Sequence, residues 1–233
     1  MTVYNNLFLK VLPARDLALL KPSLQFIELR QGELLSEPGK HISDVVFIDS
    51  GMVSLLTTMQ DGAAIEIATL GREAVLGVLS ALGNHRSNVR AVVQISGAGW
   101  KMRVADFRGI VEKSRTLRHL VLLASELTLA QMQQTAACNA LHSAERRLCR
   151  WILQVRDRID SDVIELTQDF LAQMLAVRRP TVTLIAQNLQ NSGLIRYRRG
   201  RITIVDHAGL EKLACECVDE IRTKTRHIVA ELT

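Results

Sequence analysis

The fold of the second half of the chain follows from residues 166–205, which read LTQDFLAQMLAVRRPTVTLIAQNLQNSGLIRYRRGRITIV. Thr167 is a residue type that caps helices, and a predicted helix runs from it to about Leu175. After a four-residue connection, Pro180 suits the first turn of a second helix, which ends near Gly193. Two short strands follow that glycine. The order of helix, tight turn, helix and hairpin predicts a winged helix-turn-helix.

One face of the second helix is predicted to contact DNA bases. Val182, Ile185 and Leu189 form an apolar stripe that has to be buried, so positions outside the stripe point outward. In such motifs the N-terminal end of this helix enters the major groove. The candidate base-reading residues are therefore Arg178, Arg179, Thr181, Thr183, Leu184 and Gln187. An arginine suits guanine, a glutamine suits a base edge or a phosphate, and a leucine suits the thymine methyl group.

The positive charge of the chain is concentrated in the same segment. The formal net charge of +5 over 233 residues is too small to indicate a partner by itself. Residues 167–205, however, carry six arginines against one acidic residue, so the rest of the chain balances to zero. An arginine-rich hairpin alone is also typical of a solvated surface, but after a helix-turn-helix it favours a polyanion. The candidate phosphate contacts are Thr167, Arg198, Arg199 and Arg201. An aromatic content of 4% disfavours stacking on single strands and leaves double-stranded DNA as the expected partner.

The first half of the chain is predicted to be an antiparallel β-roll of the jelly-roll kind. Asp61-Gly62 separates two β-like runs, at 53–59 and 63–70, and is the strongest hairpin signal in the sequence. Glycines recur about every ten residues between further short β-like runs. Together with the helical second half, this pattern predicts an α+β chain.

A long helix is predicted between these two halves, because no glycine occurs between Ile110 and Gly193 and apolar residues follow a 3-4 spacing. Its seam consists of Leu117, Leu120, Ala124, Leu127, Gln131, Gln134, Cys138 and Leu141. Polar seam residues are typical of two-stranded coiled coils, so we interpret the seam as a homodimer interface. The alternative is a helix that lies over its own β domain. The expected parts are residues 1–113, 114–144 and 145–233.

The cysteines and the remaining motifs predict neither a metal site nor an enzyme. Cys215 and Cys217 are expected on one helix, where positions two apart point in opposite directions, so no metal is predicted. The sequence contains no P-loop, dinucleotide fingerprint or catalytic triad order. The cysteines lack the spacing of a disulfide framework, and the sequence shows no signal peptide and no apolar run of ~20 residues. These features predict a soluble, cytoplasmic protein that does not bind membranes.

Across its whole length the sequence resembles the Crp/Fnr family of bacterial transcription regulators. The residues that carry the resemblance are Gly32-Glu33-Leu34-Leu35, Glu37-Pro38-Gly39, Val46-Phe47-Ile48, Ser50-Gly51, Glu145-Arg146-Arg147-Leu148 and the block 166–205. The resemblance implies a sensor β-roll, a dimerising helix and a DNA-binding domain that recruits or blocks RNA polymerase. The best-known members begin the reading helix with Ser-Arg-Glu-Thr. Here Arg178-Arg179-Pro180-Thr181 stands there, so only Arg179 carries over as a base reader.

The candidate effector pocket departs from the cyclic-nucleotide binders of that family. Those proteins present a Gly-Glu-Leu turn to the ribose and an Arg-Ser pair to the cyclic phosphate. Arg86-Ser87 stands near the expected place, but Glu73 is displaced by about three residues. The pattern therefore disfavours a cyclic nucleotide, and the lack of cysteines before Cys138 argues against an iron–sulfur cluster.

These observations predict a homodimeric, sequence-specific DNA-binding regulator that recognises a near-palindromic operator and carries an effector domain of unknown ligand. The alternative is a small-ligand sensor module whose basic wing binds another polyanion, such as a lipid surface. The dependence of affinity on salt distinguishes the two, because duplex DNA gives a slope set by the number of phosphates contacted.

Overall fold

The computed structural model describes residues 3–231 and shows an α+β chain. Two short helices precede an antiparallel sheet, which is followed by a long helix and then by a helix-turn-helix region. The elements of the first half are α1 (Leu7–Val11), α2 (Ala14–Leu20), a 3-10 turn (Lys21–Ser23), β1 (Gln25–Leu29), β2 (Leu34–Ser36), β3 (Asp44–Thr58), β4 (Ala64–Leu70), β5 (Val75–Leu76), α3 (Val78–Leu82), β6 (Arg90–Arg103) and α4 (Val104–Val111).

The β-roll is organised around its two long strands, β3 and β6, which pair antiparallel. The strand order is β1-β6-β3-β4, with β2 beside β6 and β5 beside β3. The predicted hairpin joins β3 to β4, and Gly62 adopts a φ of +85° in its turn, a conformation that glycine enters without steric cost. Val45 and Phe47 of β3 and Met102 of β6 belong to the apolar core on the helical side of the sheet.

The long helix, α5 (Arg115–Leu141), lies over its own β-roll. Of the predicted seam, Leu117, Leu120, Ala124 and Leu127 are buried in the same core as the strands. Their assignment to a dimer interface is therefore wrong, because the β-roll of the same chain already covers them. At these four positions the structure matches the alternative interpretation, in which the helix lies over its own β domain.

The lower part of the predicted seam is also engaged within the chain. Gln131 accepts the backbone N–H of Thr69 on β4 at 3.0 Å, which explains a polar residue in a buried face. Gln134 hydrogen-bonds to Cys217, and Cys138 is fully buried, whereas Leu141 is 79% exposed. The spacing predicted the helix correctly but did not identify what covers its apolar face.

The second half contains the winged helix-turn-helix and a pair of C-terminal helices. Its elements are α6 (Ala144–Ile159), β7 (Val163–Glu165), α7 (Gln168–Leu175), α8 (Arg179–Asn191), β8 (Ile195–Arg198), β9 (Arg201–Ile204), α9 (His207–Leu213) and α10 (Cys217–Ala230). The wing is a sheet of order β7-β9-β8, of which sequence reasoning missed β7. The single helix expected to carry Cys215 and Cys217 is in fact replaced by two helices, with an interruption at residues 214–216.

A shared apolar core joins the second half to the β-roll. Trp151 and Ile152 of α6 are buried in one cluster with Met52 and Leu56 of β3 and with Val92 of β6. The described part of the chain, residues 3–231, contains no helix with the length and hydropathy needed to cross a membrane.

Candidate nucleic-acid interface

The two helices of the helix-turn-helix are held together by their apolar faces. Thr167 caps α7, because its hydroxyl accepts the N–H of Phe170 at 3.4 Å. Ala176 ends α7 in a left-handed conformation, with φ of +49°, and so starts the tight turn. Val182 and Leu189 on α8 are buried in the cluster that also holds residues of α7. Burial of this face leaves the opposite face of α8 to solvent.

Most of the predicted base-reading residues lie on that open face. Arg178, Arg179, Thr181 and Gln187 are exposed, and Leu184 is 58% exposed although it is apolar. An apolar side chain on an exposed helix face that also carries arginines is consistent with contact to a thymine methyl group.

Thr183 differs from the other predicted readers. Its hydroxyl lies 3.0 Å from the Gln168 side-chain oxygen and 3.1 Å from the Arg179 carbonyl oxygen, and it can donate to either. Both contacts are inside the helix-turn-helix, and the side chain is half-buried. The structure therefore gives Thr183 a part in joining α7 to α8.

Arg179 has a weak ion pair in this structure. Its Nε lies 3.5 Å from Oδ1 of Asp169, and both side chains are more than 60% exposed. Exposed pairs of this kind contribute about 0–1 kcal/mol, so an anion or a guanine can replace the carboxylate at little cost.

The wing presents the remaining arginines. Arg199 and Gly200 form the turn between β8 and β9 with φ of +51° and +74°, as a two-residue hairpin of type I′ requires. Arg198, Arg199 and Arg201 are exposed, and Arg201 also bonds to Glu165 at 2.6 Å.

The base of the wing is attached to the helix-turn-helix. The hydroxyl of Tyr197 on β8 donates to the Leu166 carbonyl oxygen at 3.2 Å. Thr167, whose hydroxyl is used as the helix cap, lines a groove together with the wing arginines. The wing and the start of α7 therefore lie side by side.

The candidate effector residues do not converge on one pocket. The β-roll contains a cavity of about 1230 Å³, which Ser87 lines. Glu73 instead forms an ion pair with Arg158 of α6 at 2.7 Å, and the two side chains are 9% and 8% exposed. Arg86 is exposed and donates to the Gly39 carbonyl oxygen at 2.7 Å. The grouping of Glu73, Arg86 and Ser87 as one site is therefore wrong.

The cavity itself lies between the sheet and the long helix. Thr128 and Met132 of α5 line it together with strand residues. Among the described residues, its basic side chains are Arg30, Lys40, His41 and Lys101. A ligand in this cavity would contact α5 directly.

A cluster of sulfur and nitrogen atoms that sequence reasoning missed lies at the end of α5. Cys138, His142, Cys215 and Cys217 bring one candidate ligand atom each within 4.8 Å of one another. The expectation that Cys215 and Cys217 point in opposite directions is wrong, because the helix is interrupted at Ala214 and both thiols turn to one side. Hydrogen bonding from Cys138 lowers the pKa of the Cys215 thiol. The signals in the sequence were a cysteine and a histidine four residues apart and a Cys-x-Cys pair.

Comparison with known proteins agrees with this architecture. Residues 26–114 match the cyclic nucleotide-binding domain, and residues 146–213 match the Crp-like helix-turn-helix domain. A global nitrogen regulator of Synechococcus elongatus is 24% identical over 208 residues, which cover 85% of this chain and 93% of that protein.

Solved structures share the fold at low identity. FixK2 of Bradyrhizobium japonicum superposes with a TM-score of 0.71 at 13% identity, over 82% of this chain and 98% of that one. A transcriptional regulator of the Crp/Fnr family from Thermus thermophilus gives a TM-score of 0.67 at 20% identity, over 82% and 98%. Both domain types occur here in the same order as the β-roll and the winged helix-turn-helix. The chain belongs to the Crp/Fnr family of transcription regulators.

Proposed function

We propose that this chain is a homodimeric regulator that binds a near-palindromic site in double-stranded DNA with sequence specificity. Residues 1–113 act as the sensor, 114–144 as the dimerisation helix and 145–233 as the DNA-binding domain. The observation that carries the proposal is the set of exposed arginines at the start of α8 and on the wing, opposite the buried apolar face of α8. The rest of the chain is neutral overall, so this local charge favours a polyanion at this place.

In this proposal Arg179 reads a base and the wing contacts the backbone. Arg179 is exposed at the N-terminal end of α8, the end that enters the major groove in this motif. A guanidinium at that point can donate two hydrogen bonds to O6 and N7 of guanine. Arg178, Thr181, Leu184 and Gln187 lie on the same exposed face and complete the reading surface.

Selection of bound sequences from random duplex DNA tests this proposal. Arg179→Ala should abolish the preference at one position in each half-site, at a cost of about 1–3 kcal/mol per half-site. Arg15→Ala on α2 is the matched control, because Arg15 is an arginine with an 82% exposed side chain outside the DNA-binding domain. An unchanged base preference in Arg179→Ala would contradict the assignment, and no selected sequence at all would contradict sequence-specific binding.

The second face of α5 is the proposed dimer interface. Leu122 and Leu129 are 67% and 55% exposed and lie one heptad apart, and the exposed Gln133 and Ala136 continue the stripe. Two exposed leucines at this spacing, on a helix whose other face is already buried, favour a parallel partner helix. The dimer would place two copies of α8 about 34 Å apart, in successive major grooves.

The cavity of the β-roll is the proposed effector site. Its contact with α5 through Thr128 and Met132 allows a ligand there to bias the arrangement of the dimer and so of the DNA-binding domains. A cyclic nucleotide is disfavoured as this ligand, because Glu73 and Arg86, its candidate contacts, do not line the cavity. A rise in melting temperature with cyclic AMP, absent with ribose 5-phosphate, would contradict this part.

A further inference from the structure

We propose that Cys138, His142, Cys215 and Cys217 bind one Zn²⁺ ion in a tetrahedral site that ties the end of α5 to the start of α10. The ligands come from two distant parts of the chain. Cys138 lies in the last turn of α5 and His142 directly follows that helix, whereas Cys215 lies in the interruption between α9 and α10 and Cys217 is the first residue of α10.

Two distances between the ligand atoms match those around a single tetrahedral ion, and all four atoms lie within 4.8 Å of one another. Sγ of Cys138 lies 3.5 Å from Sγ of Cys215, and Sγ of Cys217 lies 3.5 Å from Nδ1 of His142. Tetrahedral zinc, with Zn–S and Zn–N distances of about 2.3 and 2.0 Å, separates neighbouring ligand atoms by about 3.5–3.8 Å. Three thiolates and one imidazole are a donor set of structural zinc sites, and soft sulfur ligands disfavour magnesium and calcium.

The surroundings of the ligands also match those of a zinc site. Nε2 of His142 lies 3.1 Å from the carboxylate of Glu216, which leaves Nδ1 directed toward Cys217. Histidines that bind metals usually donate their second N–H to a carboxylate in this way, which fixes the ring and strengthens the ligand. The side-chain amide of Gln134 donates to Sγ of Cys217 at 3.2 Å, as suits a sulfur that carries negative charge.

Two buried arginines next to the cluster support an anionic centre. Arg147 and Arg150 are 8% and 4% exposed, and the Nε of each is buried without a hydrogen-bond partner among the described residues. Their other hydrogen bonds go to the neutral amides of Asn139 and Gln154. A zinc ion with three thiolates carries a net charge of −1, which would compensate part of this buried positive charge.

The position of the site indicates what the ion would do. α5 ends at Leu141 and α6 begins at Ala144, so His142 lies in the short link between the long helix and the DNA-binding domain. The other pair of ligands follows the winged helix-turn-helix. One ion would therefore connect this link to the segment that follows the winged helix-turn-helix and would hold α10 against α5. Because the ion binds the folded chain, it should also stabilise the fold.

Metal titration of the full-length chain, without a histidine tag and under reducing conditions, tests the proposal. The metal-free protein should bind one equivalent of Zn²⁺ and gain melting temperature. With Co²⁺ it should show the visible absorption of tetrahedral, thiolate-bound cobalt. Cys215→Ser should lose the gain in melting temperature with Zn²⁺ and the absorption with Co²⁺. Cys149→Ser is the matched control, since Cys149 is a buried cysteine on α6 outside the cluster, and it should keep the cobalt spectrum.

A second variant separates ligation from folding. Glu216 is exposed, so Glu216→Gln should fold as the wild type does and bind zinc 10–100-fold more weakly. The proposal would be overturned by less than a stoichiometric amount of bound zinc in the reduced wild type, by loss of cobalt absorption in Cys149→Ser to the extent seen in Cys215→Ser, or by unchanged zinc affinity in Glu216→Gln. Formation of a disulfide between Cys138 and Cys215 under the same reducing conditions would overturn it as well.

Discussion

The indole N–H of Trp151 on α6 donates a hydrogen bond to the carboxyl group of Glu66 on β4 across 3.1 Å, and both side chains are buried. Ser54 of β3 donates to the same carboxyl group at 2.5 Å. Around this contact the interface is mainly apolar, with Met52 and Leu56 packed against α6. The β-roll and the helix-turn-helix region are thus joined by a buried polar link centred on Glu66.

Glu66 should make the stability of the chain dependent on pH. Burial raises its pKa from 4.5 to about 7, although Ser54, Trp151 and two arginines, Arg150 and Arg158, favour the charged form. The folded chain therefore holds a proton that the unfolded chain releases. The stabilising contribution is complete below the unfolded pKa and is lost as pH rises through about 7.

Glu66→Gln should remove this dependence while keeping the hydrogen bond from Trp151. The unfolding free energy can be measured with urea for both proteins at about pH 5 and about pH 8. Between these pH values the wild type should lose up to ~3 kcal/mol of stability relative to Glu66→Gln. Parallel pH profiles of the two proteins would show that Glu66 does not titrate in this range.

The buried pair of Arg158 and Glu73 should be sensitive to the loss of one partner. Arg158→Ala leaves the Glu73 carboxylate buried without its counter-charge and should lower the unfolding free energy by about 3–5 kcal/mol. Arg72→Ala is the control, because the pair of Arg72 with Asp160 is exposed and should contribute no more than about 1 kcal/mol. Urea unfolding measures the loss of unfolding free energy in each variant. A loss in Arg158→Ala as small as that in Arg72→Ala would contradict the prediction.

Arg199→Gly should separate DNA affinity from stability. Glycine adopts the left-handed conformation of Arg199 without strain, so the fold should be as stable as the wild type or slightly more stable. Affinity should fall equally for all duplex sequences, and the slope of log affinity against log salt should decrease by about 1. Fluorescence anisotropy over a salt series checks this. A change in base preference would instead make Arg199 a reader.

Glutamate at both Leu122 and Leu129 should produce a monomer. The two leucines are exposed on α5 in the single chain, so charge there should not disturb the core but should repel a partner helix. Sedimentation velocity should show half the mass of the wild-type species. Leu19→Glu on α2, another partly exposed leucine, serves as the control and should leave the dimer intact. A monomeric wild type would refute the dimer altogether.

Local signals in the sequence were sufficient to predict the two helices of the helix-turn-helix and the hairpin that follows them. Thr167, Pro180 and the apolar stripe of α8 act over a few residues each, and helix caps, prolines and helical periodicity have the same meaning in any context. The hairpin at Asp61-Gly62 was predictable for the same reason. The strand β7 was missed because its three residues pair with β9, a contact that no local pattern indicates.

The sequence by itself determined that α5 is a long helix and that arginines concentrate on a winged helix-turn-helix, because spacing and composition are properties of short segments. Only the tertiary structure decided which face of α5 the β-roll covers, since Leu120 and Leu122 are equally apolar and differ only in what packs against them. Only the tertiary structure brought Cys138 to Cys215, 77 positions away, by packing α10 against α5. Helical periodicity is visible within one segment, whereas a contact between residues that are distant in the sequence leaves no pattern in either of the two segments that form it.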